Sequence, residues 1–242
     1  MASKILIVGG SADIARCFAT RWLGEDATRT ALLHCSTSAG MLAPLIDAFG
    51  ARVELMQHDL SDQAGIQQFT HALREQVSSI DRVLFCAGLP FRYEKAAKFD
   101  WEFFERDANI QLRTLVELCS LFLRNKAQQD RLRVALMLSS VVLGVPPKFS
   151  AMYTTLKYAI LGYMKVLAAE SFERLQINAL APAMVETRFV GALPGSVREA
   201  VGNNQYPARL ITPDEVAEVV HFLLEEAPPH LNGSVIPIGC FA

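Results

Sequence analysis

The chain is short of charge imbalance, of cysteine pairs and of long apolar runs, and each shortage excludes a class of protein. Its 242 residues hold 23 Lys+Arg against 25 Asp+Glu, a formal net charge of −2. No basic block exists to neutralise a run of phosphates, which argues against a nucleic-acid partner. No stretch reaches 18 apolar residues. The longest candidate, 134–147, carries two serines and a glycine and ends in a double proline, so no membrane span is expected. The opening Met-Ala-Ser-Lys leads into only four apolar residues, Ile5–Val8, short of the roughly 7–15 of a secretory core. A cytoplasmic location is the expectation. The five cysteines (17, 35, 86, 119 and 240) are odd in number and form no C-x-x-C pair, which suits reduced thiols better than disulfides. No His/Cys/Asp cluster has ligand spacing, so no metal is expected.

What the chain has is apolar residues, 51% of the total, arranged in a repeating order. Segments of strand length (Lys4–Val8, Thr30–His34, Val53–Gln57, Arg82–Cys86, Val134–Leu138, Gln176–Leu180 and Val235–Ile238), continuous and apolar at Lys4–Val8 and Val134–Leu138, alternate with segments of helical period. Those helical segments are 13–23, 39–49, a stretch starting at Ser61-Asp62, about 100–123, 151–170 and 213–226. Strands that are apolar throughout are buried on both faces, which predicts an α/β fold with a mostly parallel, doubly wound, seven-stranded sheet and helices on both faces. Nothing divides the chain, so residues 1–242 are expected to form one domain. Residues 89–98 and 188–210 escape the pattern. Both follow strand ends on the carboxyl side of the sheet, where open α/β folds bind ligands. The Gly/Pro/Asn-rich 188–210 reads as a lid.

Three features carry chemistry. Gly9-Gly10-Ser11-Ala12-Asp13-Ile14-Ala15 follows the first strand and opens the first helix, where backbone N–H groups can meet a phosphate. Taken alone, two glycines after a strand are as readily a plain turn. Tyr153 and Lys157 stand four residues apart on a helix, hence on one face, with an ammonium near a phenol. Ser140 ends a buried strand thirteen residues before Tyr153.

With these residues the chain resembles the short-chain dehydrogenase/reductase family, nearly end to end, in its short single-domain form typified by 3-oxoacyl-acyl-carrier-protein reductases. The resemblance implies a Rossmann-type fold and assigns catalytic roles to Ser140, Tyr153, Lys157 and Asn109. Asn109, in Asp107-Ala108-Asn109-Ile110, would position a water that relays protons to Lys157. Cys86-Ala87-Gly88 is similar to the family's N-N-A-G segment, and Asp59-Leu60 to the pair whose carboxylate contacts adenine. The stretch 178–187 is similar to N-x-x-x-P-G-x-x-x-T. It would place Pro182, Ala183, Val185 and Thr187 against the nicotinamide. Gly9, Ser11, Asp13 and Ile14 would form the diphosphate loop. There the family's threonine and two glycines are replaced by Val8, Asp13 and Ala15. Asp13 could cap the helix, or repel a diphosphate if it pointed inward.

The implied reaction interconverts a ketone and a secondary alcohol. Tyr153 would act as general acid or base, its phenol brought toward neutral pH by the Lys157 charge. Ser140 would hold the substrate oxygen. After the second strand stands His34-Cys35-Ser36-Thr37-Ser38, with no acid to bind a ribose 2′-hydroxyl. Ser36 and Thr37 therefore favour NADP(H), with NAD(H) as the alternative. Phe91, Tyr93, Met184, Phe189 and Leu193 are the candidate substrate lining, which would suit a small molecule with an apolar portion. A homotetramer or homodimer through 100–123 and 151–170 is implied as well. The rival reading is a binding or regulatory protein on the same fold, with an altered glycine loop. Retention of Ser140, Tyr153, Lys157 and Asn109 together argues against it.

Overall fold

A computed structural model describes residues 3–125, 131–191 and 193–239. Cys240 lies outside them. Seven strands form one sheet: β1 (Lys4–Val8), β2 (Thr30–Cys35), β3 (Val53–Gln57), β4 (Ile80–Phe85), β5 (Leu132–Met137), β6 (Leu175–Pro182) and β7 (Val235–Ile238). Their order is β3-β2-β1-β4-β5-β6-β7. Every pairing is parallel, so the sheet is parallel throughout rather than mostly so. The chain reverses direction between β3 and β4, and the crevice at the carboxyl ends of β1 and β4 is the switch point where such sheets take ligands.

Strand periodicity divides the core in two. Leu6 and Val8 of β1 join one apolar cluster, and Ile5 and Ile7 join the other, because alternate side chains point to opposite faces. Helices α1 (Asp13–Glu25), α2 (Ala43–Phe49) and α8 (Pro213–His221) cover the second face. The first is covered by α3 (Gln63–Leu73), α5 (Thr114–Asn125) and α6 (Ala151–Glu170). Phe18 and Trp22 on one side and Phe69 and Phe122 on the other are nearly solvent-free. Each such side chain contributes about 2 kcal/mol of burial.

Local chemistry accounts for the helix ends. Asp62 caps α3 by accepting the Gly65 N–H at 2.8 Å. Gly65 must lack a side chain, since a Cβ there would fall 1.6 Å from the Asp59 carbonyl oxygen. The close approach fixes the 59–62 turn beneath the ligand crevice. Thr212 and Glu215 form a capping box at α8, with Pro213 in its first turn, as such residues do. Pro44 stands in the first turn of α2.

Three expectations are corrected. The amphipathic stretch 100–123 is not one regular helix: α4 (Trp101–Ala108) passes through a π turn, Asn109–Arg113, into α5. The 213–226 helix likewise ends in a π turn, Phe222–Glu226. The 188–210 segment is not all loop, for it contains the helix α7 (Gly195–Asn203), hidden in sequence by Gly195 and Gly202. Among the described residues, no helix is long and apolar enough to cross a membrane.

Candidate active site

One cleft of about 700 Å³ runs along the carboxyl ends of the strands, from Ser36 and Asp59 at one extremity to Tyr153 and Phe189 at the other. At the reacting end, β5 stops at Met137 and the chain turns through Ser139 into a single 3-10 turn, Ser140–Val142. α6 then carries Tyr153 and Lys157 back to the same point. Tyr153, Lys157, Ser139 and Ser140 all line the cleft. The Ser139 side chain acts on the Tyr153 phenol and accepts the Val141 N–H at 3.4 Å, with Ser140 one residue further into the turn. Phe91 meets the Tyr153 ring edge-on at 5.3 Å between centroids, and Phe189 lies 5.7 Å from it. These two rings flank the phenol, which is itself half-buried.

Burial sets the electrostatics here. It pushes the Tyr153 phenol up to about 12, with the Asp107 charge acting in the same direction and the Ser139 hydrogen bond opposing. Lys157, only 6% exposed, is pushed down to about 8 by the same desolvation, resisted by Asp107 and Cys86. Removal from water penalises both charged forms, so the phenol and the ammonium need an added charge before they can trade protons near neutral pH. The Cys86 thiol is pushed up to about 12 by burial and is no nucleophile at pH 7.

The structure assembles most of the residues singled out in sequence, and separates two. Phe91, Met184, Phe189 and Leu193 line the cleft. Tyr93 does not: it is 45% exposed, with its ring against Phe149 at 4.8 Å. Asn109 is not a lining residue either. Its Nδ2 donates to the Ser61 carbonyl at 2.9 Å, and its own carbonyl accepts from Thr114 Oγ1 at 2.8 Å. The group that reaches Lys157 from this segment is Gln111, whose Oε1 accepts from Nζ at 2.8 Å. Sequence reading passed over Gln111. The available signal was its i,i+4 spacing from Asp107 on a face that is otherwise apolar.

At the other end, Gly9 holds φ +81°, and a Cβ on it would come within 2.6 Å of the Ala87 nitrogen. Only glycine allows β1 to turn so close to the Cys86–Gly88 strand end. Asp13 does not cap α1. Ala12 is the N-cap and supplies no side-chain bond, so the first-turn N–H groups stay open to an outside acceptor. Asp13 is instead the first helical residue. Its carboxylate accepts from Arg16 at 2.6 Å, and from the Arg188 backbone N–H at 2.9 Å and Nε at 3.1 Å. The Arg188 side chain also donates to the Ser11 carbonyl at 2.7 Å. Burial would raise the Asp13 carboxyl, but these bonds outweigh it and hold it below its ordinary value.

His34, a residue given no role in sequence, joins this loop to the distal end. Its Nε2 lies 3.0 Å from the His58 carbonyl, and the Gly9 N–H points at its Nδ1 at 3.4 Å. A carbonyl can only accept, so Nε2 carries the proton and Nδ1 is the acceptor. Beyond it, Gly9, Ser11, Ile14, Ser36, Thr37, Asp59, Leu60, Cys86, Ala87 and Gly88 line the cleft, as do Pro182, Ala183, Val185 and Thr187. Asp59 is exposed, and its Oδ1 accepts the Ser61 N–H at 2.9 Å. An extended dinucleotide fits this set: uncapped helix N–H groups at the middle, small hydroxyls at one end, a phenol and an ammonium at the other. The carboxylate that could oppose a diphosphate is already neutralised by Arg16 and Arg188. Among the described residues, no group of acids, cysteines and histidines could hold a metal.

Comparisons with known proteins bear on the family and the fold. A family model described as "Enoyl-(Acyl carrier protein) reductase" matches residues 10–240. The cis-4-hydroxycyclohexanecarboxylate dehydrogenase of Sinomonas cyclohexanicum is 23% identical over 98% of this chain and 95% of its own length. Among solved structures, levodione reductase superposes with a TM-score of 0.86 at 24% identity, covering 98% of this chain and 96% of that one. A short chain dehydrogenase from Burkholderia cenocepacia J2315, in complex with NADP, gives 0.84 at 19%, with 98% and 96% covered.

Proposed function

The chain belongs to the short-chain dehydrogenase/reductase family, and we propose that it is an oxidoreductase interconverting a ketone and a secondary alcohol, with NADP(H) preferred over NAD(H). One observation carries this reading. Tyr153 and Lys157 share a helix face beside the serine pair at the end of β5, in a cleft continuous with the uncapped start of α1. A bound nicotinamide dinucleotide supplies the hydride in reduction and takes it in oxidation.

The protein's part is the proton. Tyr153 Oη donates to the developing alkoxide, or accepts from the alcohol in reverse. Its burial resists ionisation, so the positive charge of Lys157 is what draws the phenol toward working pH, each unit being worth about 1.4 kcal/mol. Ser140, beside Ser139 on the cleft wall, holds the substrate oxygen. Phe91 and Phe189 select a substrate apolar next to its carbonyl, with Met184 and Leu193 extending that wall. Segment 188–210 is the lid of a single catalytic unit. Arg188 fastens its leading end to Asp13, and its trailing end pairs back at Val185 and Ile211.

Preference for NADP(H) rests on Ser36 and Thr37, which offer hydroxyls to a 2′-phosphate where an acid would repel it. Neutral Ala12 and the engaged Arg16 add no selective charge. Exposed Tyr158, Val166 and Phe172 on and after α6, with Trp101 at the start of α4, suit burial in a homodimer or homotetramer. The four described cysteines are free thiols, which suits the cytoplasm.

The test is a fluorescence titration of purified protein with NADPH and with NADH, followed by turnover on a panel of ketones flanked by alkyl or aryl groups. Micromolar NADPH binding, weaker NADH binding and reduction of apolar ketones are the expected results. If neither cofactor binds at millimolar concentration, the non-catalytic reading takes the place of this one.

A further inference from the structure

The resemblance to the family implies a water relay from Asn109 to Lys157; Asn109 itself donates to the Ser61 carbonyl and accepts from Thr114. A different chain of bonds stands behind the lysine. Lys157 Nζ donates to Gln111 Oε1 at 2.8 Å and to the Met137 carbonyl at 2.7 Å. Gln111 Nε2 donates to Asp107 Oδ1 at 2.8 Å, and the same oxygen accepts the Leu89 N–H at 2.9 Å. Gln111 is 2% exposed and Asp107 6%. A Cβ on Gly88 would come within 2.9 Å of Gln111 Nε2, so the amide is pressed against the strand end that lines the cleft.

Chemistry fixes which way this amide points. A carboxylate can only accept and an ammonium can only donate, so Nε2 must face Asp107 and Oε1 must face Lys157. The π turn at Asn109–Arg113 contributes, since it shifts the register between α4 and α5 at the residue concerned. Two of the three ammonium donors are thereby used, on Gln111 and on the Met137 carbonyl. The third remains for the Tyr153 side, where Nζ stands 5.5 Å from the ring centroid.

We propose that Gln111 is a positioning residue for this acid/base pair, holding the Lys157 ammonium in place and coupling it to the buried Asp107 carboxylate so that the lysine stays protonated at working pH. The proposal rests on the reading of Tyr153 and Lys157 given above. A bare carboxylate against Lys157 would draw the ammonium toward itself and away from the phenol. An amide between them passes on polarisation through its two bonds while keeping the charges apart. The charged or titratable groups facing Lys157 are Asp107 from α4, Cys86 at the end of β4 and Tyr153 on its own helix. Burial raises the Asp107 carboxyl above its ordinary value, while the Gln111 and Leu89 bonds and the Lys157 charge act to hold it down.

The experiment follows the Lys157 side chain directly, in protein free of cofactor. Selective 13C-lysine labelling gives seven ε-methylene signals at most, and Lys157→Met assigns the one sought. The wild-type midpoint is expected near 8. Gln111→Met, which keeps the length and removes both bonds, is expected to lower that midpoint by about one unit. Asp107→Asn is expected to lower it in the same direction, and the double variant by less than the sum, as two groups acting through one chain of bonds should. The limb of kcat governed by the lysine should move acidward in parallel, with the KM for ketone changing little. An unchanged midpoint in folded Gln111→Met overturns the proposal. If that variant does not fold, an unchanged midpoint in Asp107→Asn does so. Failure of the oxidoreductase reading would appear separately, as wild-type protein that binds neither NADPH nor NADH and turns over no ketone, and would leave the titration result standing.

Discussion

The two ends of the cleft keep the family pattern to different degrees. At the reacting end, Ser140, Tyr153 and Lys157 stand at the family's spacing. At the diphosphate end, two glycines have become Asp13 and Ala15. The contrast has a physical origin. Moving a proton needs a particular side chain at a particular place, so few substitutions are tolerable there. Holding a diphosphate relies largely on backbone N–H groups and a balance of charge, and a balance can be restored by residues from elsewhere. Here Arg188, distant in sequence, bonds to Asp13 through both backbone and side chain.

The sharpest way to break this contrast is Tyr153→Phe. Turnover should fall by about 10³-fold, the scale of a lost general acid, while the NADPH dissociation constant measured by fluorescence should change less than about threefold. A large loss of cofactor affinity would mean that the two ends are not separable.

The second effect concerns His34, which links the Gly9 loop to the turn at His58. Burial holds this imidazole neutral down to about 4 against an ordinary 6.5. The unfolded chain therefore takes up a proton that the folded one refuses. Stability contributed above 6.5 is lost as pH falls to about 4, by about 3 kcal/mol in all. Urea midpoints across this window should show a shallower decline in His34→Phe than in wild type. Equal slopes would remove His34 as the source.

The smallest effect tests the charge balance itself. Arg188→Ala should weaken NADPH binding roughly tenfold, the scale of one charge-assisted contact, by leaving Asp13 opposed only by Arg16. Adding Asp13→Asn should restore most of the affinity. If the single variant binds as wild type does, the diphosphate end relies on backbone alone.

Much of this was legible from residue order. Continuous apolar runs such as Lys4–Val8 mark strands buried on both faces, and β3, α6 and β7 begin and end where the pattern places them. Pro44 and the Thr212-Pro213 pair mark helix starts for reasons that act within one turn. The i,i+4 spacing of Tyr153 and Lys157 needs only a helix to bring them together. The π turn at Asn109–Arg113 was not legible, because its sequence is an ordinary amphipathic one and packing against α6 and the strand end selects the wider turn. Nor was α7, whose glycines speak against a helix.

The sequence by itself determined the parallel α/β architecture, the placing of Tyr153 and Lys157 on one face and the absence of an acid after β2, because periodicity, spacing and residue type are local properties. Tertiary structure alone decided that Phe91 and Phe189 flank Tyr153, that Gln111 meets Lys157 directly, and that Arg188 neutralises Asp13. Each of these is a contact between segments whose separation along the chain sets no distance in space. Only the closing of the sheet and the packing of its helices determine which polar groups must satisfy one another.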